Sequence, residues 1–343
     1  MKEIKLVLVG FGNVGRALAR LLQRKSVLMK SQYNLTWKIT GIATGKHGMA
    51  INPDGLDVDK AIELVESGQS LDQLSTVKKP ADIPAFIRAC PGDVLFENSP
   101  VNHLTGEPAI THLRTALEMG MHIITANKGP VVHGYKELTS LAASKGKQFR
   151  FESTVMDGAP IFSLHRSTLP SAELRGFMGI LNSCTNLLLE RMENGETLDE
   201  AVQYGASIGI TETDPSGDID GWDAAIKVAA LVTVLMDIPL KPQEVDREGI
   251  RGITPQMLAE AKKSGERWKL VCRATRQGDH VQASVKPEKV SSASPLYSVN
   301  GTSSFIVFET DVLPGLGVLE SNPGPVTTAF GLLADMLNIY QTR

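Results

Sequence analysis

The first two dozen residues constrain the fold more than any other stretch. Residues 4–9 are a short apolar run rich in β-branched side chains, the pattern of a strand buried on both faces of a parallel sheet. The run ends in Gly10-Phe11-Gly12-Asn13-Val14-Gly15 and continues as RALARLLQRK, helical in pattern and composition. In a G-x-G-x-x-G turn between strand and helix, the first glycine makes the tight turn. The second lets backbone approach a pyrophosphate, and the third lets the helix pack closely. A helix N-terminus supplies free N–H groups for phosphate. A structural glycine turn is the plainer alternative, but strand before and helix after favour a dinucleotide site.

The following segments extend that start into a doubly wound α/β sheet of Rossmann type. Residues 37–43 predict the second strand, which runs into Thr44-Gly45-Lys46-His47 with no acid before Asp54. NAD enzymes usually hold the ribose hydroxyls with an acid at this point. Lys46 and His47 suit a 2′-phosphate instead, so NADP is expected, with NAD the alternative and a solvated basic turn the plain reading. Residues 93–97 predict a further strand leading to Asn98-Ser99-Pro100, the loop above the nicotinamide side. Residues 121–125 predict another, followed by Asn127 and Lys128 at its carboxyl end, where open α/β sheets bind ligands. Ser99, Asn127 and Lys128 are thus cofactor candidates, although by position alone Lys128 is as readily a solvated lysine.

The character of the chain changes near residue 150. The polar, kinked segment ESTVMDGAP (152–160) introduces a second region with β-like runs around 176–181, a turn at 182–186 and a helix after it. Thr197 and Glu200 form a capping box opening a helix over 198–207. Residues 268–276 and 280–287 predict a hairpin around Gly278, in a sheet with one face covered. The reading divides the chain into a dinucleotide-binding domain at 1–150 and an α+β substrate domain at 151–317. The segment from about 318 to 343, with a final helix, returns to the first domain to bury its apolar stripe.

Between these elements lies the densest charge in the molecule, GITETDPSGDIDGWDAAIK (209–227). It holds Glu212, Asp214, Asp218, Asp220, Asp223 and Lys227 and runs straight into the apolar VAALVTVLM. Asp223 and Lys227 stand four apart, on one face of a helix. The plain reading is an acidic loop capping a helix N-terminus, where negative charge is favoured. The alternative is a set of carboxylates and an ammonium converging at the mouth of a buried helix.

Composition narrows the partners. A net charge of −3 over 343 residues gives no reason to expect nucleic acid or a membrane surface. Cys90, Cys184 and Cys272 are widely spaced and odd in number, which fits a reducing compartment without a structural disulfide. The N-terminus enters a strand at once, predicting no signal peptide, and no apolar run approaches a membrane span. A cytoplasmic protein is expected.

With these motifs in hand, the chain resembles the homoserine dehydrogenase family over nearly its whole length. The matching pieces come in family order: GFGNVG at 10–15, TANKGP at 125–130, FESTVMDGAP at 151–160 and GILNSCTN at 179–186. ITETDPSGDIDGWDAAIK at 210–227, EGIRGIT at 248–254, VKPEKVSSASPL at 285–296 and GPVTTAF before the last helix complete the run. A minimal catalytic form is expected, without a regulatory ACT domain or a fused kinase. The resemblance implies reversible, NAD(P)(H)-dependent interconversion of L-aspartate 4-semialdehyde and L-homoserine. By motif, Lys227 and Lys128 are the implied proton-transfer pair, Asp223 holds Lys227, and Glu212 and Asp218 bind the ammonium group of an amino-acid substrate. A monovalent cation is implied on the segment of Glu152, Val155, Asp157 and Ala159, for which a plain domain hinge is the other reading. A homodimer through the substrate-domain sheet is implied as well. Departures from the family pattern gather near the substrate: Ser183-Cys184 for a frequent Gly-Thr, Ile210 for a frequent tyrosine, Asp157 for a small residue, and Ser303-Ser304 about where asparagine is common. Ser183, Cys184 and Ile210 are therefore expected at the substrate.

Overall fold

The computed structural model describes residues 1–211 and 214–341. The chain divides into two units, one of Met1–Pro160 with the C-terminal segment from Gly324, the other of Ile161–Pro323.

In the first unit the strands are β1 (Lys2–Val9), β2 (Leu35–Ala43), β3 (Met49–Ile51), β4 (Val94–Glu97), β5 (His122–Thr125) and β6 (Phe149–Arg150), arranged β3-β2-β1-β4-β5-β6. All neighbours are parallel except the short β3, which pairs antiparallel with β2. The order reverses beside β1, so the carboxyl ends of β1 and β4 open the crevice in which such sheets bind ligands. Helices α1 (Asn13–Tyr33), α2 (Val58–Glu66), α3 (Ile83–Ala89), α4 (Ala109–Glu118), α5 (Lys128–His133) and α6 (Tyr135–Ser144) connect the strands.

The core joins Ile4, Leu6 and Leu8 of β1 to Leu18, Leu21 and Leu22 of α1. Ala329, Leu332, Leu333 and Met336 of the C-terminal helix (Pro325–Tyr340) belong to the same cluster. That helix also explains why the unit extends to Pro160 rather than 150. Asp335 Oδ2 accepts from the Glu152 backbone N–H at 2.8 Å, and Ser153 Oγ donates to the Thr328 carbonyl at 2.7 Å. The kinked segment is thereby tied to the dinucleotide-binding unit.

The second unit has the sheet β12-β11-β7-β9-β10-β8, from β7 (Leu174–Ile180), β8 (Asp246–Arg247), β9 (Glu266–Gln277), β10 (His280–Ser291), β11 (Ser304–Thr310) and β12 (Leu316–Glu320). Because β12 pairs with β11, residues 318–323 remain in this unit instead of starting the return segment. Its helices are α7 (Ile161–Thr168), α8 (Ser183–Glu193), α9 (Leu198–Ser207), α10 (Ser216–Ile219), α11 (Trp222–Leu235) and α12 (Pro255–Lys263). The turn expected at 182–186 is largely helix. Asn182 is the N-cap, its Oδ1 taking the Thr185 N–H at 2.7 Å, so α8 begins at Ser183. Helix α11 is buried from Ala224 to Ile226 and from Val228 to Thr233, leaving Lys227 as the polar interruption. No described helix is long and apolar enough to cross a membrane.

Candidate active site

The glycine turn is shaped for a phosphate-bearing group. Gly10 has φ +92°, and a Cβ there would stand 2.4 Å from the Asn98 carbonyl oxygen, so only glycine lets β1 and β4 end this close. At Gly15 a Cβ would fall 2.6 Å from the Gly10 carbonyl oxygen, which fixes the tight seat of α1. At Gly12 it would meet nothing within 4 Å, the open side from which a pyrophosphate can approach. No side chain caps α1, whose first N–H groups face this turn. Phe11 is buried and Val14 packs on the core, while Arg16 donates to the Phe11 carbonyl at 3.1 Å and to Asn13 Oδ1 at 3.0 Å. Across the crevice, both amide atoms of Asn98 are buried without a hydrogen-bond partner. Buried amides are ordinarily satisfied, and a dinucleotide with its hydroxyls and phosphates would do so. The residues present fit such a cofactor.

The turn after β2 is held by its own backbone. Thr44 N and Oγ1 donate to the Gly48 carbonyl at 3.0 and 3.1 Å, and the His47 N–H donates to Thr44 Oγ1 at 2.7 Å. Lys46 is exposed. Folding brings one carboxylate here that the sequence order hid: a Cβ on Gly48 would lie 2.2 Å from Asp72 Oδ1. Asp72 is already engaged, accepting from Lys79 Nζ at 2.7 Å and Met49 N at 2.9 Å, and the lysine holds its carboxyl below the ordinary range.

Under the crevice, the carboxylate of Glu97 is fully buried at the end of β4. Ser99 Oγ donates to Glu97 Oε1, and His112 Nδ1 stands 3.4 Å from the same oxygen. Thr125 Oγ1 donates to the Glu97 carbonyl at 2.8 Å and accepts from the Asn127 N–H at 2.9 Å. Asn127 Nδ2 donates to the Ser99 carbonyl at 3.1 Å, and its Oδ1 caps α5 through Gly129 N at 3.0 Å. Asn127 and Ser99 therefore use their side chains to fix the loops, and Lys128 is displayed as the first residue of α5. Glu97 itself carried no motif in the sequence.

In the segment proposed for a cation, Glu152 and Val155 are buried, and Asp157 has φ +39°. The Asp157 carboxylate accepts from Thr327 Oγ1 at 3.1 Å, and the Ala159 N–H donates to the Met156 carbonyl at 2.8 Å.

In the second unit the acidic stretch separates into two groups. Asp214 caps its own turn through Ser216 N at 3.0 Å, and Asp220 is clasped by Arg251, so neither faces a site. Asp218, Asp223 and Lys227 converge. Lys227 Nζ lies 3.1 Å from Asp223 Oδ2 and donates to the Leu181 carbonyl at 2.6 Å. Asn182 Nδ2 donates to Asp218 Oδ1 at 2.6 Å and to Asp223 Oδ2 at 3.0 Å. Cys184 is buried beside them. Its burial, and then the neighbouring carboxylate of Asp218, push the thiol well above its ordinary pKa, which favours the protonated thiol over the nucleophilic thiolate. Ser183 Oγ meets Ser304 Oγ at 3.0 Å, tying the start of α8 to the start of β11. Ile210 is half-buried in the turn after α9. Glu212 lies outside the described residues. Asn182 is the member of this group that the sequence did not single out.

Together, a Rossmann-type sheet with a glycine turn open at Gly12 and a separate domain holding a lysine among carboxylates define a dinucleotide-dependent oxidoreductase. The family model described as homoserine dehydrogenase matches residues 160–337, and that for the homoserine dehydrogenase NAD-binding domain matches 10–152. The chain is 36% identical to the NAD(+)-dependent homoserine dehydrogenase of Pseudomonas canavaninivorans, over 100% of this chain and 97% of that one. It is also 36% identical to the homoserine dehydrogenase of Methanocaldococcus jannaschii, over 98% of each. The solved structure of a hyperthermophilic archaeal homoserine dehydrogenase in complex with NADPH superposes with a TM-score of 0.82 at 29% identity, covering 98% of both chains. The chain belongs to the homoserine dehydrogenase family, NAD(P)-dependent oxidoreductases that act on a CH–OH group.

Proposed function

We propose that the protein interconverts L-homoserine and L-aspartate 4-semialdehyde, with NADP(H) preferred over NAD(H) and Lys227 and Lys128 in proton transfer. The observation that carries this reading is the ammonium of Lys227, held by Asp223 Oδ2 and the Leu181 carbonyl within one shell of carboxylates. When bound, the dinucleotide supplies the hydride acceptor or donor. During oxidation Lys227, as the neutral amine, takes the proton of the C4 hydroxyl and becomes the ammonium; during reduction that ammonium gives the proton back to the C4 oxygen. Asp223 keeps its ammonium aimed, and Lys128, at the carboxyl end of β5, is the second lysine of the pair. Asp218 and Glu212 accept from the substrate's ammonium group, the need that distinguishes an amino-acid alcohol from a simple one.

The preference for NADP(H) rests on exposed Lys46 with His47 after β2, and on the engagement of Asp72 by Lys79 and Met49. The relative named as NAD(+)-dependent makes the opposite preference the result to look for. Sodium or potassium at 152–159 is a further part of the proposal, since a buried carboxylate with turn carbonyls is a hard-oxygen donor set. A homodimer through the second unit's sheet completes it. Homoserine oxidation with NADP and with NAD, in sodium, potassium and choline buffers, tests the reading; light scattering tests the dimer. Turnover with NAD alone would remove the Lys46/His47 argument and leave the enzyme. The altered residues Ser183, Cys184 and Ile210 support a second reading, another small amino or hydroxy aldehyde. A substrate panel in which homoserine is a poor substrate beside a better alcohol would favour it.

A further inference from the structure

Asn182 is buried to 3% exposure, and all four hydrogen-bonding positions of its amide are occupied. Its Oδ1 accepts from Thr185 N at 2.7 Å and Thr185 Oγ1 at 2.8 Å. That fixes the orientation of the amide, because the flipped form would set its oxygen against two carboxylates and its NH2 against an N–H. Both Nδ2 hydrogens must then point to Asp218 Oδ1 and Asp223 Oδ2. The Asp223 oxygen is the one that also takes Lys227 Nζ, and Lys227 Nζ reaches the carbonyl of the preceding residue, Leu181. Residues 181 and 182 therefore touch both ends of the Asp223–Lys227 pair.

We propose that Asn182 is a positioning residue for the reaction: its neutral amide bridges Asp218 to Asp223 and so fixes the direction of the Asp223–Lys227 pair. The proposal rests on the role given to that pair above. Only an amide offers two donors on one uncharged atom. A lysine or arginine here would compete with Lys227 for Asp223, and an alanine would leave two neighbouring carboxylates without their shared donor. The charged and titratable groups facing the amide are Asp218 of α10, Asp223 and Lys227 of α11, and Cys184 of α8.

Asn182→Asp separates positioning from simple loss of a cap. The new carboxyl keeps one oxygen for Thr185 but carries at most one proton for two acceptors. Between Asp218 and Asp223 it titrates above its unfolded value. The folded variant then holds a proton that the unfolded chain releases, so stability present at low pH is lost as pH rises through that window. In the full-length protein, the deficit in Tm against wild type is expected to widen between about pH 5 and pH 8. Over the same range kcat/KM for homoserine is expected to fall at least about ten-fold further than wild type. Asn182→Ala adds no titrating carboxyl, so its deficit in Tm should change with pH less than that of Asn182→Asp, with a lower kcat/KM throughout and unchanged NADPH binding by fluorescence. A constant Tm deficit for Asn182→Asp, or kcat/KM within about three-fold of wild type at every pH, overturns the proposal. If wild type itself fails on homoserine, the functional reading falls, and the Tm comparison alone decides whether Asn182 holds the two carboxylates.

Discussion

Lys269 offers the sharpest quantitative test of the second unit. It stands on β9, 1% exposed, with Nζ donating to Asn186 Oδ1 at 2.8 Å and to the Val299 carbonyl at 2.5 Å. Both acceptors are neutral. Burial, reinforced by Arg267 nearby, brings its pKa from 10.5 down to about 8. Between those values the unfolded chain holds a proton that the folded chain lacks, so stability rises with pH through the window. Near pH 7 both states are protonated, and the full burial penalty, about 3 kcal/mol, is present. By about pH 9.5 roughly 2 kcal/mol of that penalty has been relieved. Lys269→Met removes the ammonium and leaves Asn186 Oδ1 short of a donor, at a cost of about 1–3 kcal/mol, while the Val299 carbonyl keeps the Asn186 Nδ2 donor at 3.2 Å. Near neutrality this loss and the relieved burial penalty offset one another. Urea unfolding of both proteins at fixed protein concentration, near pH 7 and near pH 9.5, should therefore show wild type gaining about 2 kcal/mol on the variant. A difference unchanged to within about 0.5 kcal/mol would mean that the two acceptors keep the ammonium charged, and would refute the argument.

Further outcomes are expected from the two clusters and the glycine turn. Lys227→Ala should lower kcat/KM by about 10²–10⁴, the range for loss of a positioned acid–base group, while NADPH fluorescence titration gives a Kd near that of wild type. Gly10→Ala would force a methyl group onto the Asn98 carbonyl at a φ of +92°. It should cost about 2–4 kcal/mol in thermal unfolding and abolish dinucleotide binding. Replacing Lys46 and His47 together by alanine should reduce the ratio of kcat/KM with NADP to that with NAD by at least about ten-fold, measured side by side. Asp220→Asn releases only the clasp to Arg251. It should change stability by less than about 1 kcal/mol and leave kcat unaltered, although Asp220 belongs to the same acidic run as Asp218.

What the sequence could reveal was set by how local each device is. The glycine turn was legible because its three roles act within six residues, and the capping box of Thr197 and Glu200 because it closes within one turn. The i,i+4 spacing gave the Asp223–Lys227 pair for the same reason. Long-range partners were hidden. Asp72 reaches Gly48 only through folding, so a turn that looked free of acids has one beside it, already bound to Lys79. In the run 209–227 nothing local separates Asp220 from Asp218. Arg251 claims one and Asn182 the other, and both partners lie more than thirty residues away. The partners of Lys269 are hidden in the same way, since Asn186 and the Val299 carbonyl that enclose it come from distant parts of the chain.

The two units solve one physical problem by the same device. Each must hold a lysine beside loops of irregular backbone, and loops do not position side chains to within an ångström unless their polar groups are tied. In the first unit Thr125 and Asn127 join the end of β4 to the start of α5, so Ser99 and Lys128 are set relative to Glu97 before any ligand arrives. In the second, Asn182 caps α8 with its oxygen and bridges two carboxylates with its nitrogen, so Lys227 is set relative to the start of α8. A hub whose amide nitrogen donates twice does not tolerate exchange of a donor for an acceptor, whereas a half-exposed charge does. Asn182→Asp and Asn127→Asp should therefore both be more damaging than Asp220→Asn. They should also fail differently, the first in substrate KM and kcat and the second in cofactor affinity. If the two variants shared one kinetic signature, the division of labour between the hubs would be wrong even with both residues essential.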